Sequence, residues 1–100
     1  MRNDSSEAHM PTLEAARQLA TEALLFLAQD DARIVQFLNA CGVAPADLRT
    51  SARQDRTLAA VLDHLMAHES LLFVFAANAR HHPADIQPAL DRLRRDGDVA

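Results

Sequence analysis

The chain has 100 residues, is 49% apolar and 4% aromatic, carries a formal charge of −4, and holds one cysteine and two glycines. That length makes one domain with a core of its own, needing neither disulfides nor metal. The acidic balance excludes a global field drawing the chain to nucleic acid or an anionic membrane, and the lone Cys41 excludes an internal disulfide.

Residues 1–11 are polar and without periodicity, so a disordered segment is expected there. They contain no apolar run of the secretory kind, and the uncharged stretch Ser70–Ala79 is far short of the roughly 20 residues that span a bilayer. With the unpaired cysteine, these features predict a cytoplasmic protein.

The rest reads as helix, because Ala and Leu dominate and β-branched residues, aromatics and turn glycines are few. Thr12 is an N-cap candidate with Glu14 in the first turn. Leu13, Ala16, Ala20, Ala23, Leu24 and Leu27 then follow at helical spacing, widened by Leu19 and Phe26. A second helix starts at Asp30, carries Ile34, Phe37, Leu38 and Cys41 on one stripe, and stops at Gly42 as a left-handed cap. Pro45 suits the first position of a short third helix anchored by Leu48, with a loop over Ser51–Asp55. A fourth helix carries Leu58, Val61, Leu62, Leu65 and Met66 inward, with Asp63 and His64 toward solvent. From Glu69 to Arg80 the chain is apolar nearly all round, which predicts a helix buried at the centre. Pro83 opens a last helix with Ile86, Leu90 and Leu93 inward; Pro88 should kink or delay it, and Gly97 should end it. The expected architecture is all-α, one compact domain of five or six helices over 12–96, followed by a tail at 97–100.

Sliding the chain by 38 positions sets Pro45-Ala46-Asp47-Leu48 on Pro83-Ala84-Asp85-Ile86, Phe37 on Phe75, Ile34 on Leu72, Leu27 on Leu65 and Leu24 on Leu62. This predicts two similar halves, about 12–53 and 54–96, closed on each other. Arg80 and His81 replace Gly42 and Val43, so the second half is expected to end its helix differently.

The strings Ala23-Leu24-Leu25-Phe26-Leu27-Ala28, Phe37-Leu38 before Gly42, Pro45-Ala46-Asp47-Leu48-Arg49, and Leu58-Ala59-Ala60-Val61-Leu62-Asp63 before Glu69 resemble a family of short alphaproteobacterial proteins known as a domain of unknown function. The resemblance covers roughly 12–95. It implies a helical bacterial protein of the cytoplasm and carries over no catalytic residue.

The residues bear on four chemistries. Ile34–Ser51 has the turn glycine and the anchors, Val43 and Leu48, of a helix-turn-helix that would present Asp47, Arg49 and Arg53. Leu38, Ser51 and Pro45 sit badly for that motif, and the chain has no lysine for phosphate contacts, so nucleic acid is disfavoured and an αα-corner preferred. His64 and His68 share a helix face and could recruit Glu69, His81 and His82 as metal ligands. The spacing is not His-Glu-x-x-His, so no metal is assigned, and His68 is read as a cap for the helix after it. Cys41 is read as a small core residue. With two glycines there is no phosphate loop, so no cofactor and no enzyme activity are expected.

Association remains. Leu19, Leu25, Phe26, Phe73 and Val74 exceed what one small core needs, which predicts a non-enzymatic helical interaction module. Its partner would be another protein or a second copy, without membrane contact. The expected interface residues are Leu19, Phe26, Phe73, Val74, Arg80, His81 and His82.

Overall fold

A computed structural model describes residues 11–99 of the chain, with side chains described for 11–95. The expected disordered segment therefore lies, apart from Pro11, outside the described residues. Those residues form six α-helices and one 3-10 turn, with no strand among them. The helices are α1 (Leu13–Ala28), α2 (Asp31–Cys41), α3 (Pro45–Ser51), α4 (Asp55–Ala67), α5 (Glu69–Ala79) and α6 (Ile86–Val99), with the turn Pro83–Asp85 leading into α6.

Local chemistry sets most of the helix ends. Thr12 Oγ1 accepts the Ala15 N–H at 3.0 Å, and Asp30 Oδ1 accepts from Ala32 at 2.9 Å and Arg33 at 3.1 Å. Each satisfies N–H groups that a first helical turn leaves without a partner. The anticipated loop over Ser51–Asp55 is shorter, since Ser51 closes α3 and Asp55 opens α4. Between α4 and α5 the chain bends by 113° at His68. Pro88 is the third residue of α6, inside the first turn, where a missing N–H costs nothing. Delay, not a kink, is its effect: the chain makes a 3-10 turn first and becomes α-helical at Ile86. Gly97 does not end α6, which runs to Val99. A single glycine inside a helix costs only about 1 kcal/mol, and no proline follows to stop it.

The core is built by α1, α4 and α6. Ala16, Ala20, Ala23 and Leu27 of α1, Val61, Leu62 and Leu65 of α4, and Ile86, Ala89, Leu90 and Leu93 of α6 are all buried. Helix α2 adds Phe37 and Leu38, and α5 adds Leu72, Phe75 and Ala76. The expectation of α5 as a central, all-round buried helix is thus corrected. An eleven-residue helix placed beside three others needs one apolar face, and α5 leaves Phe73 49% and Val74 41% exposed. Leu19 and Phe26, expected at an interface, are buried instead. The ring of Phe26 is sandwiched between Phe75, 5.6 Å away, and the guanidinium of Arg33, 4.5 Å from its centroid.

The two helix ends expected to differ share a left-handed cap, while the His81 N–H bonds to Ala76 O at 2.9 Å only at the second. Gly42 (φ 76°) and Arg80 (φ 61°) both adopt the left-handed conformation, and their N–H groups bond to the carbonyls of Leu38 and Ala76. Arg80 is the one non-glycine residue with positive φ among the described residues. The following turns also agree: Asp47 N–H reaches Ala44 O, and Asp85 N–H reaches His82 O, each at 2.9 Å. At the second turn the Asp85 carboxylate accepts the His82 N–H at 3.3 Å as well.

Candidate functional site

A cavity with titratable side chains on its wall lies between the C-terminal end of α2 and the outer face of α4. Phe37, Ala40 and Cys41 of α2 and Val43 of the following turn form one wall. Arg56, Thr57, Ala60, Asp63, His64, Ala67 and His68 form the other. Alanines at 40, 60 and 67 leave room, and the cavity measures about 430 Å³. That lies within the roughly 300–1,000 Å³ of small-molecule sites.

His64 is the chemical centre of this cavity. The expectation of His64 on the solvent side of α4 is corrected, because it is only 6% exposed. Its ring meets the edge of Phe37 at 5.5 Å and lies 4.4 Å from the ring of His68. Its Nε2 is buried with no hydrogen-bond partner among the described residues. Burial, and secondarily the neighbouring His68, push its pKa below the ordinary imidazole value of 6.5. At neutral pH it is an uncharged imidazole, able to donate from one ring nitrogen and accept at the other. His68 Nδ1 donates to the His64 carbonyl at 2.8 Å. It therefore closes the end of α4, besides occupying the position before α5. Cys41, expected in the core, is half-buried and lines the cavity, its Sγ 3.8 Å from the Leu38 carbonyl.

The charges at this cavity are unequal. Asp63, the one carboxylate on its wall, is held by Arg94 at 3.1 Å. The Arg56 guanidinium has no ion-pair partner among the described residues.

At the other corner, α1 and α5 enclose a smaller groove of about 240 Å³ lined by Glu22, Leu25, Phe26, Gln29, Phe75, Asn78 and Ala79. Here His81 reaches back across the end of α5. Its Nε2 meets Glu22 Oε1 at 2.8 Å and its ring lies 6.0 Å from Phe75. His82 and Arg80 are exposed beside it. The four histidines considered as metal ligands thus divide into two separate pairs, His64 with His68 and His81 with His82. No group of three or more His, Cys, Asp or Glu among the described residues could hold a metal ion.

The Ile34–Ser51 segment is a helical corner whose second helix, α3, has seven residues and buries none of them. Arg49 and Arg53 are exposed there, alongside exposed Asp47.

The cavity was missed in the sequence, although a signal was present. Position 64 is the 38-residue counterpart of Phe26, and a histidine there replaces an aromatic hydrocarbon at a buried site. Likewise, Val43 and Ala60 stand at the counterparts of His81 and Glu22, which fill the other groove.

Taken as a class, the described residues make a small helical domain with two grooved corners, in which no single helix is long and apolar enough to cross a membrane. The chain belongs to the family described as "Protein of unknown function (DUF3572)", whose model matches residues 13–96. No curated protein and no solved structure matches it.

Proposed function

We propose that the protein is a non-enzymatic helical interaction module whose docking surface is the outer face of α5. One observation carries this reading: Ser70, Phe73, Val74 and Ala77, at successive helical spacings, are all exposed and none is charged. Exposed faces of single domains usually carry charge, as α6 does with Asp91, Arg94 and Arg95. An uncharged stripe centred on a half-exposed Phe73 has the composition of a contact surface. Its occupant is a second copy of the chain. Two such faces can meet about a two-fold axis without setting like charges opposite one another.

Sedimentation velocity across a concentration series up to millimolar tests this. A reversible dimer is expected, and Phe73→Asp should convert it to monomer with unchanged helicity and melting temperature. A monomer at every concentration overturns the reading.

We infer also that the two corners are copies of one helical unit. The paired left-handed caps at Gly42 and Arg80 support this, as do the aromatic pairs Phe26–Phe75 and His64–Phe37, which exchange under the 38-residue offset. Arg17 and Asp55 are counterparts too, and they face each other in a two-pronged ion pair at 2.8 and 3.0 Å, as residues on a two-fold axis would.

A further inference from the structure

We propose that the cavity between α2 and α4 is a binding site for a small carboxylic acid with an apolar body. The inference does not rest on the α5 docking surface, none of whose residues lines the cavity. It rests on three observations.

The first is greater room than the other corner has. The groove between α1 and α5 is narrowed by its own side chains, since Glu22 and His81 close on each other at 2.8 Å against Phe75. The corresponding positions beside Phe37 are Ala60 and Val43, which are too short to meet. The result is a space of about 430 Å³, against about 240 Å³ at the plugged corner. Plugging is therefore within the reach of this architecture, and this corner is left open.

The second is the wall itself. It is mainly hydrocarbon, from Phe37, Val43 and the alanines, which suits an aryl or branched aliphatic body. Into this wall is set His64, more than nine-tenths buried, with Nε2 unpartnered among the described residues. A buried polar atom without a partner costs about 1–3 kcal/mol and needs a compensating reason. The ring borders the cavity, so a ligand seated there packs against the imidazole and becomes a partner for Nε2 once the ring turns toward it.

The third is charge. Asp63 is neutralised by Arg94 at 3.1 Å, whereas Arg56 is not matched by any described carboxylate. With Arg94 counted beside Asp63, Arg56 is the one charge at this cavity without an opposite partner among the described residues, and its guanidinium presents the planar fork that pairs with a carboxylate. An apolar body against Phe37 and the alanines, with its acid group toward Arg56, satisfies both kinds of surface.

The test is an NMR titration of the full chain with phenylacetate and, in parallel, with the neutral 2-phenylethanol. Saturable amide shifts are expected around Cys41, Ala60 and His64, with phenylacetate binding about tenfold or more tighter, the effect of one charge-assisted contact. Arg56→Gln should bring phenylacetate down to the level of the alcohol. Because Arg56 is exposed, that variant is expected to keep the fold. The double variant Val43→His with Ala60→Glu installs the plug of the other corner and should abolish binding of both probes; a thermal melt shows whether it remains folded. Absence of saturable shifts at the cavity overturns the proposal. So does equal affinity for acid and alcohol, or an Arg56→Gln variant that binds phenylacetate unchanged.

Discussion

The corner at Gly42 and the corner at Arg80 end their helices in the same conformation and differ in the kind of helix that follows and in what fills them. Both end an eleven-residue helix in a left-handed residue, both follow it with a Pro-Ala-Asp turn, and both bury a phenylalanine, Phe37 or Phe75. One corner then closes its groove with a Glu–His pair, while the other keeps an open cavity beside a buried histidine. The lesson is that two corners with matching helix ends and a buried phenylalanine each can differ, through two or three side chains, in how much space they leave.

The comparison can be broken most forcefully at its aromatic anchors. Phe37→Ala and Phe75→Ala should each destabilise the protein by about 3–5 kcal/mol, because both rings are fully buried. Urea unfolding of the two variants checks this. A cost below about 1 kcal/mol at either site would show that the anchors are not equivalent.

The next effect is at His64. Its folded pKa lies below the unfolded value of 6.5, so above pH 6.5 the neutral ring carries no penalty from protonation. Between 6.5 and the lower folded pKa the unfolded chain takes up a proton that the native chain does not, so stability should fall as pH drops through that window. Replacing His64 with Phe, the residue of the other corner, should remove that part of the acid sensitivity and stabilise the protein by about 1–3 kcal/mol at pH 7. Chemical denaturation of both proteins at pH 7 and pH 5 measures each. An unchanged pH dependence in His64→Phe would remove the histidine from the account.

The caps give a paired prediction of opposite sign. Nothing lies within 4 Å of a Cβ placed on Gly42, so Gly42→Ala meets only the conformational cost of positive φ, about 1–2 kcal/mol. Arg80→Gly relieves the same cost and should stabilise the protein by up to about 1 kcal/mol. Thermal melts of the two variants should move in opposite directions.

The smallest effect belongs to the plug. Glu22 and His81 are 50% and 30% exposed in their side chains, so Glu22→Gln should cost no more than about 1 kcal/mol and its effect should shrink further in high salt. A larger loss in a salt-dependent melt would make the pair a structural element in its own right.

Much of the fold was legible in the sequence, because helix periodicity and capping chemistry are local. Thr12, Asp30, Gly42 and Pro45 mark helix ends where the structure has them. Two readings failed for reasons that are not local. Helix α5 reads as central from its composition, but whether an apolar face is covered depends on how many neighbours reach it, and Phe73 has too few. Arg80 reads as a different helix end because arginine does not favour positive φ, yet the packing of Phe75 and Ala76 fixes the end where the cap must form. The cavity was less legible still. A space is made by residues that are absent, and small side chains at 40, 60 and 67 on two helices announce nothing until those helices are brought together.

Helix α3 has a consequence for the molecule's internal stability. Seven residues with no fully buried side chain, tied to the core only through half-buried Leu48, cannot hold a helix by themselves, nor share fully in the cooperativity of the core. Its amides should exchange with solvent through local opening, at free energies well below that of global unfolding, while those of α1, α4 and α6 report the whole. The stretch from Val43 to Gln54 is thus the place where the chain can be nicked or lengthened with the three core helices left intact, and native-state hydrogen exchange would draw that boundary residue by residue.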